Sequence, residues 1–212
     1  MFCMTADKER PCTSFAVTSA KPSEGKSLTA ANIAISYAML GKKVLLIDAD
    51  MRKPTQRRLW RVEKPTGLCD FLAKISKLEL DKVKDLPLWI VCTGTIPPNP
   101  SELLSSERMK HFVEESAKVY DYIIIDTPPI NTVADAQIVS TYVDGVVLVV
   151  KSGDTTEDEL NEAIDAVRRA GGNLCGTVLN DLNIKSVKYA YKYKYGGKYG
   201  YKYSYSESYE AR

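Results

Sequence analysis

No stretch of the 212-residue chain is apolar for the roughly 18 residues that a membrane-spanning helix needs, so a transmembrane anchor is not expected. The first residues also lack the apolar region of a signal peptide. Cysteine is sparse: Cys3, Cys12, Cys69, Cys92 and Cys175 are odd in number, scattered, and form no CxxC pair. That spacing argues against a zinc site or a disulfide framework and fits reduced thiols in a cytoplasmic protein. Excess charge is lacking too, with a net of only +2. Yet six lysines and Arg212 against Glu207 and Glu210 put +5 on the residues from 185 onward, leaving −3 on the rest. The chain reads as a mildly acidic body carrying a basic appendage.

The body has the length of one domain. Short apolar runs at 15–18, 44–47, 88–91, 122–125, 146–150 and 178–179 alternate with helical patterns. The runs at 122–125 and 146–150 are β-branched and unalternated, as strands covered on both faces should be. A helix is expected over about 27–40, with Gly41 as its C′ residue. Met109, Phe112, Val113, Ser116, Ala117 and Tyr120 recur at helical spacing, as do Leu160, Ala163, Ile164 and Val167. Asn99, Pro100 and Glu102 offer an N-cap, a proline at N1 and a glutamate at N3. Such alternation predicts an α/β fold with a doubly wound, mostly parallel sheet over residues 1–184.

Residues 185–212 differ. They hold Tyr189, Tyr191, Tyr193, Tyr195, Tyr199, Tyr201, Tyr203, Tyr205 and Tyr209 among Lys, Gly and Ser, with almost nothing aliphatic. A segment of that kind cannot bury enough apolar surface to offset its ordering entropy, so a disordered tail is expected. The period of two also admits an edge strand. Lysine with interleaved tyrosine could serve as a tether for membrane or nucleic acid, although no nucleic-acid partner is expected.

Three motifs carry chemistry. Ala20, Lys21, Pro22, Ser23, Glu24, Gly25, Lys26 and Ser27 match GxxxxGK[ST] except at the first glycine, and lie between a strand and a helix. Backbone N–H groups there can cradle phosphates, Lys26 can reach the β- and γ-phosphates, and Ser27 can ligate Mg²⁺. This predicts Mg–ATP as the bound species. Asp48 and Asp50 leave the carboxyl end of a buried strand two residues apart, with Arg52 two further on. Asp126 ends the run of Ile123, Ile124 and Ile125 and is a Walker B candidate.

Together these motifs resemble the bacterial tyrosine kinases, the autokinases of capsule and exopolysaccharide synthesis, over nearly the whole chain. The matching segments are the P-loop at 20–27, the apolar-DxDxR run at 45–52, the Walker B run at 123–128, PPNPSELL at 97–104 and the tyrosine-rich end. The resemblance implies a P-loop NTPase fold like that of the MinD and ParA ATPases, and trans phosphorylation of the tyrosine tail. It places Lys21 to Leu28 and Asn180 on the nucleotide, with Asp181 standing where an Arg often follows. Ser27, Asp50 and Asp126 become the metal shell. Lys26, Asp48, Asp50, Arg52 and Asp126 become the catalytic set, with Asp48 orienting or deprotonating the tyrosine; Asp48 and Asp50 could exchange roles. Implied partners are a transmembrane activator of the polysaccharide co-polymerase type, a cognate tyrosine phosphatase, and further copies of the chain on activation. The implied location is the cytoplasm, at the inner face of the membrane. The family's upstream ExxRxxR helix is not found before the first strand, so weak ring formation by this chain alone is expected. A partition-type ATPase switch and a nucleotide-sensing scaffold of the export machinery remain the alternatives.

Overall fold

The computed structural model describes residues 13–182. The tyrosine cluster and the expected boundary at 184/185 lie outside the described residues. In chain order the elements are β1 (Ser14–Ser19), α1 (Lys26–Met39), β2 (Val44–Asp48), α2 (Gln56–Trp60), α3 (Leu68–Leu72), β3 (Asp81–Lys82) and β4 (Leu88–Val91). They continue with α4 (Pro100–Ser105), α5 (Glu107–Ala117), β5 (Tyr122–Asp126), α6 (Asp135–Ser140), β6 (Gly145–Lys151), α7 (Glu157–Arg169) and β7 (Leu174–Asn180). The seven strands form one sheet in the order β3-β4-β2-β5-β1-β6-β7. Every pairing is parallel except β3 with β4.

The central strands read as unbroken apolar runs because both faces of the sheet are covered. Successive side chains point to opposite faces. Leu45, Ile47, Ile123, Ile125, Val146 and Leu148 therefore join one core, and Val44, Leu46, Ile124, Val147 and Val149 the other. The first core is closed by side chains such as Leu104, Met109, Val113 and Val167. The second is closed by Ala30, Ala31, Ala34 and Ala38 of α1. Alanines let α1 lie close against the sheet, and each large side chain withdrawn from water contributes about 1.5–3 kcal/mol.

Gly41 takes the left-handed conformation expected after α1, at φ 78°. The α4 region differs from expectation. Asn99 occupies the N-cap position, but its side chain caps no backbone N–H; its amide meets the Glu102 carboxylate instead. The helix then stops, and Ser106 caps α5 by accepting from the Met109 N–H at 3.2 Å. The last strand spans seven residues, not the apolar pair at 178–179. As a sheet edge it has one exposed row, so its sequence is mixed. The charged β3 carries no apolar signal at all.

Candidate active site at the carboxyl edge of the sheet

Strand order assembles the site. β5 lies between β2 and β1, and the register sets Asp48 opposite Asp126 and Asp126 opposite Val17. Two carboxylates far apart in sequence thus end side by side, next to the turn that leaves β1. Ligands of open α/β sheets bind at this edge. In that turn Ser23 (φ 68°) and Gly25 (φ 89°) are both left-handed. Such a turn forms the backbone nest that receives anions. Gly25 is required: a β-carbon there would lie 2.1 Å from Asn180 Nδ2. The first N–H groups of α1, on Lys26, Ser27 and Leu28, have no carbonyl within the helix to receive them and stand ready for phosphate oxygens.

Asp48 and Asp126 are fully buried, Asp50 is 3% exposed and Lys26 is 9% exposed. Lys26 Nζ donates to Asp50 Oδ2 at 2.7 Å and lies 3.6 Å from Asp126 Oδ1. It also reaches the Ser27 hydroxyl at 3.2 Å. Asp48 Oδ2 accepts from the N–H groups of Thr55 (3.1 Å) and Gln56 (2.9 Å). Three carboxylates against one ammonium leave an excess of negative charge in a region shielded from water. Burial, then the neighbouring Asp126, push the Asp48 carboxyl up to about 8. Asp126 is also raised, by burial, although Lys26 opposes the shift. Burial would lower the Lys26 ammonium, but Asp126 and Asp50 outweigh it and hold it above its ordinary value.

These residues fit a divalent cation and a phosphate chain. Asp48 Oδ1 and Asp126 Oδ1 are buried with no hydrogen-bond partner. Among the described residues, no three Asp, Glu, His or Cys side chains alone form a metal cage. The unpartnered oxygens of Asp48 and Asp126, with the Ser27 hydroxyl nearby, suit an ion that binds through one or two carboxylates, a hydroxyl and phosphate oxygens.

Not every expected residue meets at this point. Arg52 turns away: its Nε donates to Asp135 Oδ2 at 2.8 Å, and Nη2 reaches Ser101 Oγ at 3.2 Å. Lys21 grips Glu159 at 3.1 Å, across the loop after β6. Glu24 is buried beneath the loop and meets the Thr155 hydroxyl. Asn180 Nδ2 donates to the Glu24 carbonyl at 2.9 Å and so supports the turn. Pro22, Ser23 and Leu28 are on its rim, all three exposed. Gln56 escaped sequence reasoning. It is fully buried, and its amide donates to the Ser27 carbonyl and to Asp126 Oδ2, both at 2.9 Å. Nothing in its sequence neighbourhood sets it apart from a surface glutamine. Asp135 escaped too, since its only sequence signal was an acid near a helix start.

Fold and site together define a P-loop NTPase, and nucleotide binding follows from that class. The chain matches the AAA domain family over residues 13–173. It is 44% identical over 189 residues to the tyrosine-protein kinase YwqD of Bacillus subtilis, covering 88% of this chain and 80% of that one. It is 39% identical over 176 residues to the tyrosine-protein kinase CpsD of Streptococcus pneumoniae, covering 82% and 78%. The kinase domain of the Escherichia coli tyrosine kinase ETK superposes with a TM-score of 0.81 at 32% identity, over 89% of this chain and 74% of that one. The chain belongs to the bacterial tyrosine kinases. MinD of Pyrococcus horikoshii, solved with Mg-ADP, shares the fold at a TM-score of 0.67 and 20% identity, over 79% of this chain and 69% of that one.

Proposed function

We propose that the chain is an ATP-dependent protein-tyrosine autokinase. It transfers the γ-phosphoryl group of ATP to tyrosines of the 189–209 cluster on a neighbouring copy, and so controls capsular or exopolysaccharide synthesis. The carrying observation is Asp48: a fully buried carboxyl that ends its strand beside Asp126 at the phosphate-binding turn, with an Oδ1 that has no partner. An ordinary carboxylate is a poor base for a phenol of pKa about 10, so Asp48 takes the proton late, when the phenol oxygen has begun to bond to phosphorus and has become more acidic. With a cation bound in place of the proton that the cluster otherwise keeps on Asp48, the ionised Asp48 accepts the tyrosine proton as the new oxygen–phosphorus bond forms and the bond to the bridging oxygen breaks, leaving ADP.

The remaining residues orient and neutralise. Lys26 exchanges Asp50 for a phosphate, and the N–H groups opening α1 take the γ-oxygens. Mg²⁺, held by Ser27, Asp50 and Asp126, would neutralise the β- and γ-oxygens. Gln56 fixes Asp126 against Ser27. Arg52, anchored on Asp135, positions the segment that carries Asp48 and Asp50. Asn180 supports the turn from the side expected for the base.

No helix among the described residues is long and apolar enough to cross a membrane. In this reading a separate membrane-spanning activator recruits the chain to the inner face, and a tyrosine phosphatase resets it. The test incubates the full chain with Mg–ATP and the activator's cytoplasmic segment. Phosphotyrosine should appear within 189–209 and vanish when all nine tyrosines become Phe. Phosphate released to solution with no phosphotyrosine would instead establish an ATPase switch.

A further inference from the structure

Beside the reacting groups lies an open pocket of about 600 Å³. Its wall begins at Pro54, one residue before the N–H groups of Thr55 and Gln56 that hold Asp48. Its floor includes Thr93, whose hydroxyl donates to the Asp48 carbonyl at 2.9 Å. Three guanidinium groups, those of Arg57, Arg58 and Arg61, line it against the single carboxylate of Glu63. Arg57 is committed, donating to the carbonyls of Val62 (3.2 Å) and Glu63 (3.0 Å) and folding the turn after α2. Arg58 and Arg61 make no side-chain hydrogen bond or ion pair with any described residue. Arg61 is also held left-handed, at φ 54°, a conformation that a residue with a β-carbon enters only under constraint. Ile96, 59% exposed, adds an apolar side chain to the lining.

We propose that this pocket binds a phosphotyrosine of the tail, so that a tail phosphorylated once stays on the kinase and presents its next tyrosine. This rests on the autokinase reading and extends it from the first transfer to the order of transfers. A phosphotyrosine needs guanidinium donors for a dianion and an apolar wall for a ring, and the pocket has both. Unmodified, the tail carries +5 and has no attraction for three arginines. Each phosphate adds roughly −1.5 to −2 of charge, so the pocket selects product over substrate. Side chains at i and i+2 of an extended chain share a face. Tyr199, Tyr201, Tyr203 and Tyr205 have that spacing, so on an extended stretch a phosphate held at one position leaves the next phenol on the same face, beside the segment 54–56 that holds Asp48.

The probe is a peptide of residues 198–206, with or without phosphate on Tyr203, titrated by fluorescence anisotropy against the full chain whose nine tail tyrosines are Phe. The phosphopeptide should bind at least about tenfold more tightly than the plain peptide. Arg58→Gln with Arg61→Gln should weaken it by about tenfold or more per guanidinium, with melting temperature and Mg–ATP binding unchanged. Arg58→Gln alone should give roughly half of that effect on a logarithmic scale. In the native-tail protein, early autophosphorylation products should carry several phosphates beside unmodified chains, and the double variant should shift them toward single phosphates. Equal binding of the two peptides, or equal binding by wild type and double variant, overturns the proposal. So does inorganic phosphate competing as well as the phosphopeptide, which marks a bare anion site. Binding to phosphatidylserine vesicles that the double variant loses while phosphopeptide binding persists marks a membrane contact, and overturns it as well. Because the peptide arrives phosphorylated, a chain that binds it but forms no phosphotyrosine refutes the kinase reading, not the pocket.

Discussion

Lys21 and Lys26 stand near the two ends of one phosphate-binding turn, and each faces two carboxylates. Lys21 meets Glu159 at 3.1 Å and Asp154 at 3.7 Å; Lys26 meets Asp50 at 2.7 Å and Asp126 at 3.6 Å. Distance does not separate them, but surroundings do. The Lys21 side chain is 29% exposed and its partners are 36% and 49% exposed. The Lys26 side chain is 11% exposed and those of its partners 5% and 0%. Water and salt screen the first cluster, and Glu159 keeps a second task in capping α7 through Thr156. The second cluster is shielded, and its excess negative charge has no local remedy except a proton on Asp48 or a bound cation. Like ion pairs therefore do unlike things: the outer one ties two loops together, and the inner one stores charge for a ligand.

The sharpest test removes the inner cation. Lys26→Met should abolish phosphotyrosine. It should also destabilise the nucleotide-free protein, by about 3 kcal/mol or more at neutral pH, because the buried acidic cluster loses its only counter-charge. Thermal melts at pH 6 and pH 8 check this, and the loss should be greater at pH 8, where protons are scarcer. A melt unchanged at both pH values would show that the cluster is not electrostatically loaded.

Asp48→Asn comes next. Its carboxyl is raised from an unfolded value near 3.9 to about 8. The folded state thus holds the proton more tightly than the unfolded state. That contribution is complete below about pH 4 and is lost as pH rises through about 8. Asn carries no such charge, so the variant should melt close to wild type in acid and progressively higher toward pH 8. Autophosphorylation should fall by about 10²-fold or more, as for loss of a general base. A variant that gains nothing with rising pH contradicts the assignment.

The smallest effect belongs to Lys21→Met. The Glu159 hydrogen bond, with Asp154, raises Lys21 above its ordinary value, but the group is in contact with water. No change in melting temperature should be resolved at 0.15 M salt. A loss as large as that of Lys26→Met would erase the distinction between the two clusters.

Much of the fold and of the site is legible in the order of the amino acids. Residues 20–27 announce a phosphate-binding turn because a glycine between a strand and a helix, followed by Lys and Ser, suits one backbone path and one ligand. The apolar runs at 44–47, 122–125 and 146–150 announce strands covered on both faces. Local patterns also locate Asp48, Asp50 and Asp126 at strand ends. What such patterns miss are partners: Gln56 beneath Asp126, Asp135 holding Arg52, and Asn180 bracing the turn at Gly25. The short α2, α3 and α6 escape them because five or six residues do not show a helical period.

The sequence alone thus determined which residues carry charge, where the phosphate turn lies and which runs enter the sheet. These depend on backbone sterics and on a hydrophobic period only a few residues long. The tertiary structure decided that β5 enters between β1 and β2, bringing Asp126 beside Asp48 across a gap of 78 positions. It also decided that Lys26 is, among the described residues, the sole cation buried with those carboxylates. Proton affinity at Asp48 depends on how much water is excluded and how near the next charge stands, and both are set by strand order.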